Sequence, residues 1–296
     1  MDGKRKDLLE LDGGLLRFLQ PTQERLRILV VECVPYLPFL RQLYPEAELY
    51  AVVQDPDLTG LPEYQALGVR WSVLDYHEER LPYAQEFFDY LLADRCLETA
   101  ANPQDIAAGF GTFIKQTGFL LTSFKNIRYW KVLQELMEGH FYAVVTRLFT
   151  KPEFESLLYA SFYKDAIFMP QRTYGPENFI RGLEECGFEN RRHDLDTEFW
   201  LVKAARSTPE ISALKECFTK EVRSSLSRYL RRIEYAIDVQ ENCARVWKLY
   251  KEQSMFPDYL AAFIKEATIH QQVVYEALCA AAPEQEWAEE LSEAAK

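Results

Sequence analysis

Five short apolar runs alternate with stretches of helical spacing over residues 27–124, and that alternation narrows the fold more than anything else in the sequence. The runs are 27–33 (RILVVEC), 48–53 (ELYAVV), 69–74 (VRWSVL), 87–93 (FFDYLLA) and 119–124 (FLLTSF). Short runs with so little polar alternation are what strands buried on both faces of a parallel sheet require. Residues 36–44, 61–67 and 103–116 have helical spacing, with Asn102 as N-cap, Pro103 at the first helical position and Gly118 closing the last of them. Strands separated by helices join through right-handed crossovers, so the expected architecture is α/β, a doubly wound and mostly parallel sheet.

Residues 127–190 are less regular. Helices are expected over 127–139 and 174–187, the second between Pro176 and Gly187, and a late strand over 199–204. Beyond Ser207-Thr208-Pro209-Glu210, a helix-start signal, the period is helical throughout. Leu226, Leu230, Ile233 and Ile237 form one stripe, and Leu260, Phe263, Ile264, Ala267, Val274 and Leu278 a second, running to about 282. The expected division is a lead-in segment 1–25, an α/β domain 26–206 and an all-α region 207–296. Amphipathic helices of this kind pack on each other, dock on the α/β domain or make a homodimer or another protein contact.

The formal charge of −12 disfavours phosphate backbones and anionic lipid surfaces, so neither nucleic acid nor membrane is an expected partner. Cys33, Cys96, Cys186, Cys217, Cys243 and Cys279 lie far apart in sequence, without a CxxC pair, and read as reduced thiols of a cytoplasmic protein. No signal peptide or membrane span is expected. His77-Glu78-Glu79-Arg80-Leu81 lacks the second histidine of a zinc helix, and the four histidines form no cluster, so no metal site is expected. Neither GxxxxGK[ST] nor GxSxG occurs. Gly109-Phe110-Gly111 fits close helix packing, His270 a buried apolar-face histidine, and Lys220, Arg223, Arg228, Arg231 and Arg232 a solvated face partly paired with Glu221 and Glu234. Trp130 is either core or an aromatic rim to a cleft.

The stretch FDYLLADRCLETAANPQDIAAGFGTFIKQTGFLLTSF, residues 88–124, resembles the central part of the class I S-adenosylmethionine (SAM) dependent methyltransferases. A strand opening Phe-Asp, a polar turn, a helix, a glycine turn and a further strand recur in that order. Asp75, followed by His77, Leu81 and Pro82, fits the family's acidic position near the adenine, and the likeness runs through about 26–205. The resemblance implies SAM as cofactor, with Glu32, Asp55 and Asp75 as cofactor-binding residues and Asp94 as the residue orienting an acceptor. It departs from the family at three places. Glu32 is followed by Cys33-Val34-Pro35-Tyr36-Leu37-Pro38, with no glycine where backbone must pass close to the cofactor. Val53 stands at the ribose acid's position, so Asp55 serves only if the loop shifts by two residues. Glu98-Thr99 stands where many relatives carry Glu-His.

Two functions follow, with binding of another nucleotide or nucleotide-sugar at the same cleft as a third. One is SAM-dependent methyl transfer to an unidentified acceptor. The C-terminal LSRYLRRIEYAID (226–238) resembles helical extensions of bacterial glycan-assembly proteins, which implies a setting in bacterial glycan or glycoconjugate metabolism. The alternative is a catalytically inactive methyltransferase fold used as a scaffold or partner-binding module. The state of the space beside Tyr36 and Phe39 separates them.

Overall fold

Strand β1 (Arg27–Val31) sits inside the sheet, with β2 (Glu48–Val53) on one side and β4 (Phe88–Asp94) on the other, both parallel to it. The computed structural model describes residues 14–140, 147–206 and 218–295. With β3 (Arg70–Val73), β5 (Ile114–Lys125), β6 (Asp165–Arg172) and β7 (Thr197–Ala205), the order across the sheet is β3-β2-β1-β4-β5-β7-β6. Only β7 runs against the rest, antiparallel to both β5 and β6. Ile28, Leu29, Val30 and Val31 have no exposed surface, nor do Leu91, Leu92 and Ala93. This is why both runs read as apolar strands, each buried Val, Leu or Ile side chain contributing roughly 1.5–3 kcal/mol of burial.

Helices α1 (Leu37–Leu43), α2 (Pro62–Gln65), α3 (Cys96–Thr99) and α4 (Pro103–Phe113) occupy the crossovers, except that β3 returns to β4 through turns and bends with no helix. Three expectations need correction here. The helix from Pro103 stops at Phe113 rather than Gln116, because Ile114 already pairs with Phe88 in the sheet. Asn102 makes no side-chain cap bond; its amide donates instead to Asp105 Oδ2. Gly109 has nothing within 4 Å of a built Cβ, so close packing is not its reason.

The irregular stretch holds α5 (Trp130–Met137), α6 (Lys151–Ala160), strand β6 and α7 (Glu177–Glu185). Helix α6 opens with a capping box in which Thr150 and Glu153 satisfy each other's backbone amides. The Trp130 indole donates to Thr173 O at 3.0 Å, and its ring lies 2.8 Å from where a Cβ on Gly175 would stand. That glycine is fixed by the close approach.

The chain divides into two compact units, residues 14–19, 25–115 and 119–206 in the first, 20–24, 116–118 and 218–295 in the second. The helix-start signal at 207–210 and Cys217 lie outside the described residues, as does the lead-in before Gly14, of which 14–18 form a 3-10 turn. The second unit packs α8 (Lys220–Glu234), α9 (Val239–Glu252), α10 (Pro257–Ala267), α11 (Gln271–Ala280) and α12 (Gln285–Ala294). Trp247, Phe263, Leu230 and Leu278 lie in its core. The second apolar stripe is not one helix: α10 ends at Ala267 and fully buried His270 is the N-cap residue of α11. The basic stretch on α8 is not uniformly solvated either. Arg231 is buried, and Glu234 accepts the Ile269 and His270 amides at 2.6 and 2.8 Å.

Candidate functional site

Ligands of doubly wound sheets bind at the carboxyl ends of the strands, which here means the edge after Val31, Val53, Val73 and Asp94. β1 leaves the sheet through Glu32, whose φ of 59° is left-handed for a residue with a side chain. That turn sends the chain into a 3-10 turn, Val34–Tyr36, which runs straight into α1. The amides of this loop are used by the chain itself. Glu32 N donates to Val52 O (2.9 Å), Cys33 N to Val31 O (2.7 Å), Val34 N to Glu32 O (3.0 Å) and Tyr36 N to Cys33 O (3.1 Å). Leu37 N donates to Val34 O, and Pro35 and Pro38 carry no N–H.

The turn delivers Tyr36 inward, 2% exposed. Its hydroxyl donates to Asp94 Oδ2 at 3.0 Å and accepts from Leu15 N at 3.3 Å. Asp94 Oδ1 accepts from the Ser123 hydroxyl, its direct partner in the β4–β5 register. Phe39, beside it in sequence, stays half-buried. Burial, reinforced by the Asp94 charge, lifts the Tyr36 phenol far above its ordinary pKa, so it remains a hydrogen-bond donor. The Cys33 and Cys96 thiols are also raised by burial; they donate to Leu92 O (3.5 Å) and Val31 O (3.4 Å) and stay protonated. Neither is an activated nucleophile.

A second chain of contacts runs along the neighbouring strand ends. Glu32 Oε1 accepts Gln54 N at 2.7 Å, the Gln54 carboxamide donates to Asp75 Oδ1 at 2.7 Å, and that oxygen also accepts His77 N at 3.0 Å. The structure thus brings Glu32 and Asp75 together through Gln54, and places Asp94 under Tyr36. Asp55 joins neither group: its carboxylate accepts Asp57 N at 3.0 Å and caps the 3-10 turn Pro56–Gly60. Glu98 is fully buried; it pairs with Arg95 Nε at 2.7 Å and accepts the Lys125 amide, tying α3 to the end of β5. Gln54 and Ser123 were not foreseen. Gln54 had a signal, a polar residue directly after an apolar run, but the register that sets Ser123 beside Asp94 had none.

Burial is the first cause of raised pKa values at Glu32, Asp94 and Glu98, outweighing their hydrogen bonds. Between the ordinary carboxylate values and these raised ones, the folded state holds more protons than the unfolded. Their contribution therefore favours folding increasingly as pH falls from neutral through the raised values, and is complete below the ordinary ones. The urea midpoint of the wild type should gain more on acidification toward the ordinary carboxylate range than that of Asp94→Asn, which lacks the Asp94 contribution. An equal gain in that variant would remove Asp94 from the account.

A separate groove of about 340 Å³ lies between the 76–81 loop and α4, with Tyr76, Arg80, Leu81, Phe110 and Phe113 in its walls; it contains none of Glu32, Asp55, Asp75 or Asp94. Among the described residues no group of three His, Cys, Asp or Glu could hold a metal ion, and no helix is long and apolar enough to cross a membrane.

Five parallel strands in the order 3-2-1-4-5, extended by a reversed seventh strand inserted before the sixth, decide the architecture. The fold is that of the class I methyltransferases. No protein-family model matches the chain, and no curated protein does. Among solved structures, a SAM-dependent methyltransferase of Thermotoga maritima is 13% identical, with 69% of this chain and 91% of that one covered and a TM-score of 0.48. For a SAM-dependent methyltransferase of Archaeoglobus fulgidus the values are 12%, 69%, 100% and 0.47. For the CMeT domain of a citrinin polyketide synthase they are 17%, 70%, 52% and 0.45, so this chain spans about half of that one. The fold rests on strand order and direction rather than on these overlaps.

Proposed function

We propose that the α/β unit is a methyltransferase fold that does not transfer methyl groups and works as a scaffold or partner-binding module. One observation carries this: Tyr36, buried and bonded to Asp94, takes the place that a glycine loop leaves for the cofactor. A SAM molecule at that edge needs room for its methionine arm and amide donors that face it. Here the ring fills the room, and the loop's amides already have acceptors on their own chain. The residues present do not fit the cofactor, and no catalytic step is derived through it. The −12 charge points away from nucleic acid and anionic membrane as partners. A protein partner or second copy engaged through the helical region, in a cytoplasmic setting, is part of the same proposal.

The competing function, SAM-dependent methyl transfer to an acceptor in bacterial glycan or glycoconjugate metabolism, draws its support from the Glu32–Gln54–Asp75 chain at the strand ends. It requires Tyr36 to leave its seat and Asp94 to turn to an acceptor. Calorimetric titration of the full chain with SAM and S-adenosylhomocysteine separates the two. No heat with either ligand up to about 1 mM is the expected result, equivalent to binding weaker than about −4 kcal/mol. Saturable heat that disappears in Asp75→Ala would overturn the scaffold reading.

A further inference from the structure

Gly14 lies against the hydroxyl end of Tyr36, and its missing side chain permits the contact. Its φ is +48°, and a Cβ built on it would stand 2.5 Å from Tyr36 Oη but 3.5 Å from Cζ and 3.7 Å from Cε1. The hydroxyl alone makes the overlap; the ring carbons are at ordinary contact distance. The next residue, Leu15, is fully buried and donates its amide to the same hydroxyl at 3.3 Å. Gly14–Phe18 is a single 3-10 turn, a small element with Leu15 and Phe18 as its buried anchors. Lifting this turn exposes Leu15 and Phe18 but breaks no strand pairing of the sheet. The Tyr36 hydroxyl is therefore shared by two partners of different kinds: the amide of a short turn above it and the buried carboxylate of β4 below it.

We propose that residues 14–18 form a strap that keeps Tyr36 seated, so that lifting the strap and withdrawing the ring are one event that opens the β1–β4 edge at Asp94. The proposal rests on Tyr36 being the side chain that fills this edge. In the closed state the phenol bridges strap and carboxylate, and the Cys33 thiol beside them faces Leu92 O. In the open state the Asp94 carboxylate and Ser123 meet solvent, and the Cys33 thiol, half-buried in the closed state, gains exposure. The device is local, since it needs no strand to leave the sheet.

The test is peptide-resolved maleimide labelling of the full chain, read at Cys33, with buried Cys243 in the helical core as reference for general unfolding. Gly14→Ala should raise the Cys33 labelling rate about tenfold, the scale of a kcal/mol or two of local strain. The same substitution in a Tyr36→Phe background should lose most of that rise, since the atom it strikes is gone. The left-handed φ penalises alanine in both backgrounds, so the difference isolates the contact with the hydroxyl. A Cys33 rate untouched by Gly14→Ala, or raised equally in both backgrounds, overturns the proposal. If Cys33 and Cys243 rise together, rescue by Tyr36→Phe still decides: rescue supports the strap, and its absence refutes it. Thiol access is read without SAM, so this result stands apart from the titration above.

Discussion

Replacing Tyr36 by alanine is expected to destabilise the α/β unit by about 3–5 kcal/mol, the range for truncating a buried aromatic ring. The size of the loss is diagnostic of function. On the rim of a cofactor cavity a tyrosine keeps one face toward solvent or ligand, and trimming it in the absence of ligand costs about 0.5 kcal/mol or less, as at most surface sites. Tyr36 is instead 2% exposed, and its removal also strips a partner from Leu15 N and from Asp94 Oδ2. Each orphaned buried group adds to the loss unless water enters to replace the hydroxyl. Urea unfolding, with hydrogen exchange followed in peptides from β1 and β4, measures it. A loss below about 1 kcal/mol would place Tyr36 among surface residues and return the edge to a cofactor-binding role.

The order of strands was legible because burial on both faces leaves a plain trace: RILVVEC and FFDYLLA have few alternatives once their polar residues are set aside. The absence of glycine after Glu32 was legible too, and so was the bulk of Tyr36. What sequence could not give was the direction of that ring. It depends on a left-handed turn at Glu32, which is not a glycine and carries no local signal for that conformation. Phe39 shows the same limit from the other side, since it was an equal candidate to fill the space and stays half-buried at the surface of α1. Asp55 looked available because acids after a strand are ambiguous, and a cap two residues on claimed it. In the helical region, Ala267 and Val274 are seven apart, a spacing that suits one continuous helix, so periodicity could not reveal the break at Thr268–His270. The start of α6 is written in the sequence as the capping box Thr150-x-x-Glu153. Strand β6 had weaker clues: it is a half-exposed edge strand that carries Pro170, and its apolar pattern is diluted at both ends by charge.

Asn126→Asp is expected to be the most damaging isosteric change at the end of β5, costing about 3–5 kcal/mol at neutral pH, on the scale of a buried unpaired charge. Asn126 has no exposed surface. Its Nδ2 donates to Asp194 O at 2.8 Å and Thr197 O at 3.0 Å, and its Oδ1 accepts Arg128 N at 3.1 Å. One side chain thus holds the turn after β5 against the start of β7. The substitution keeps the shape and the Oδ1 contact but replaces the donor with an oxygen facing two carbonyls, with the Asp194 carboxylate 3.4 Å from the original nitrogen. Arg128 pairs with that carboxylate at 3.1 Å and offsets part of the repulsion. Asn126→Ala removes the same bonds without adding charge and should cost less, about 2–3 kcal/mol. The pH dependence separates the two variants. A carboxyl at this site is disfavoured when ionised, so its folded pKa lies above the ordinary value, and protonation restores one donor. The deficit of Asn126→Asp relative to wild type should therefore shrink as pH falls through that raised pKa and reach its minimum below the ordinary carboxylate value, while the deficit of Asn126→Ala stays level. Parallel deficits across pH would mean that the turn relaxes to admit water around the new carboxylate, and that Asn126 shapes the end of β5 without being sealed inside it.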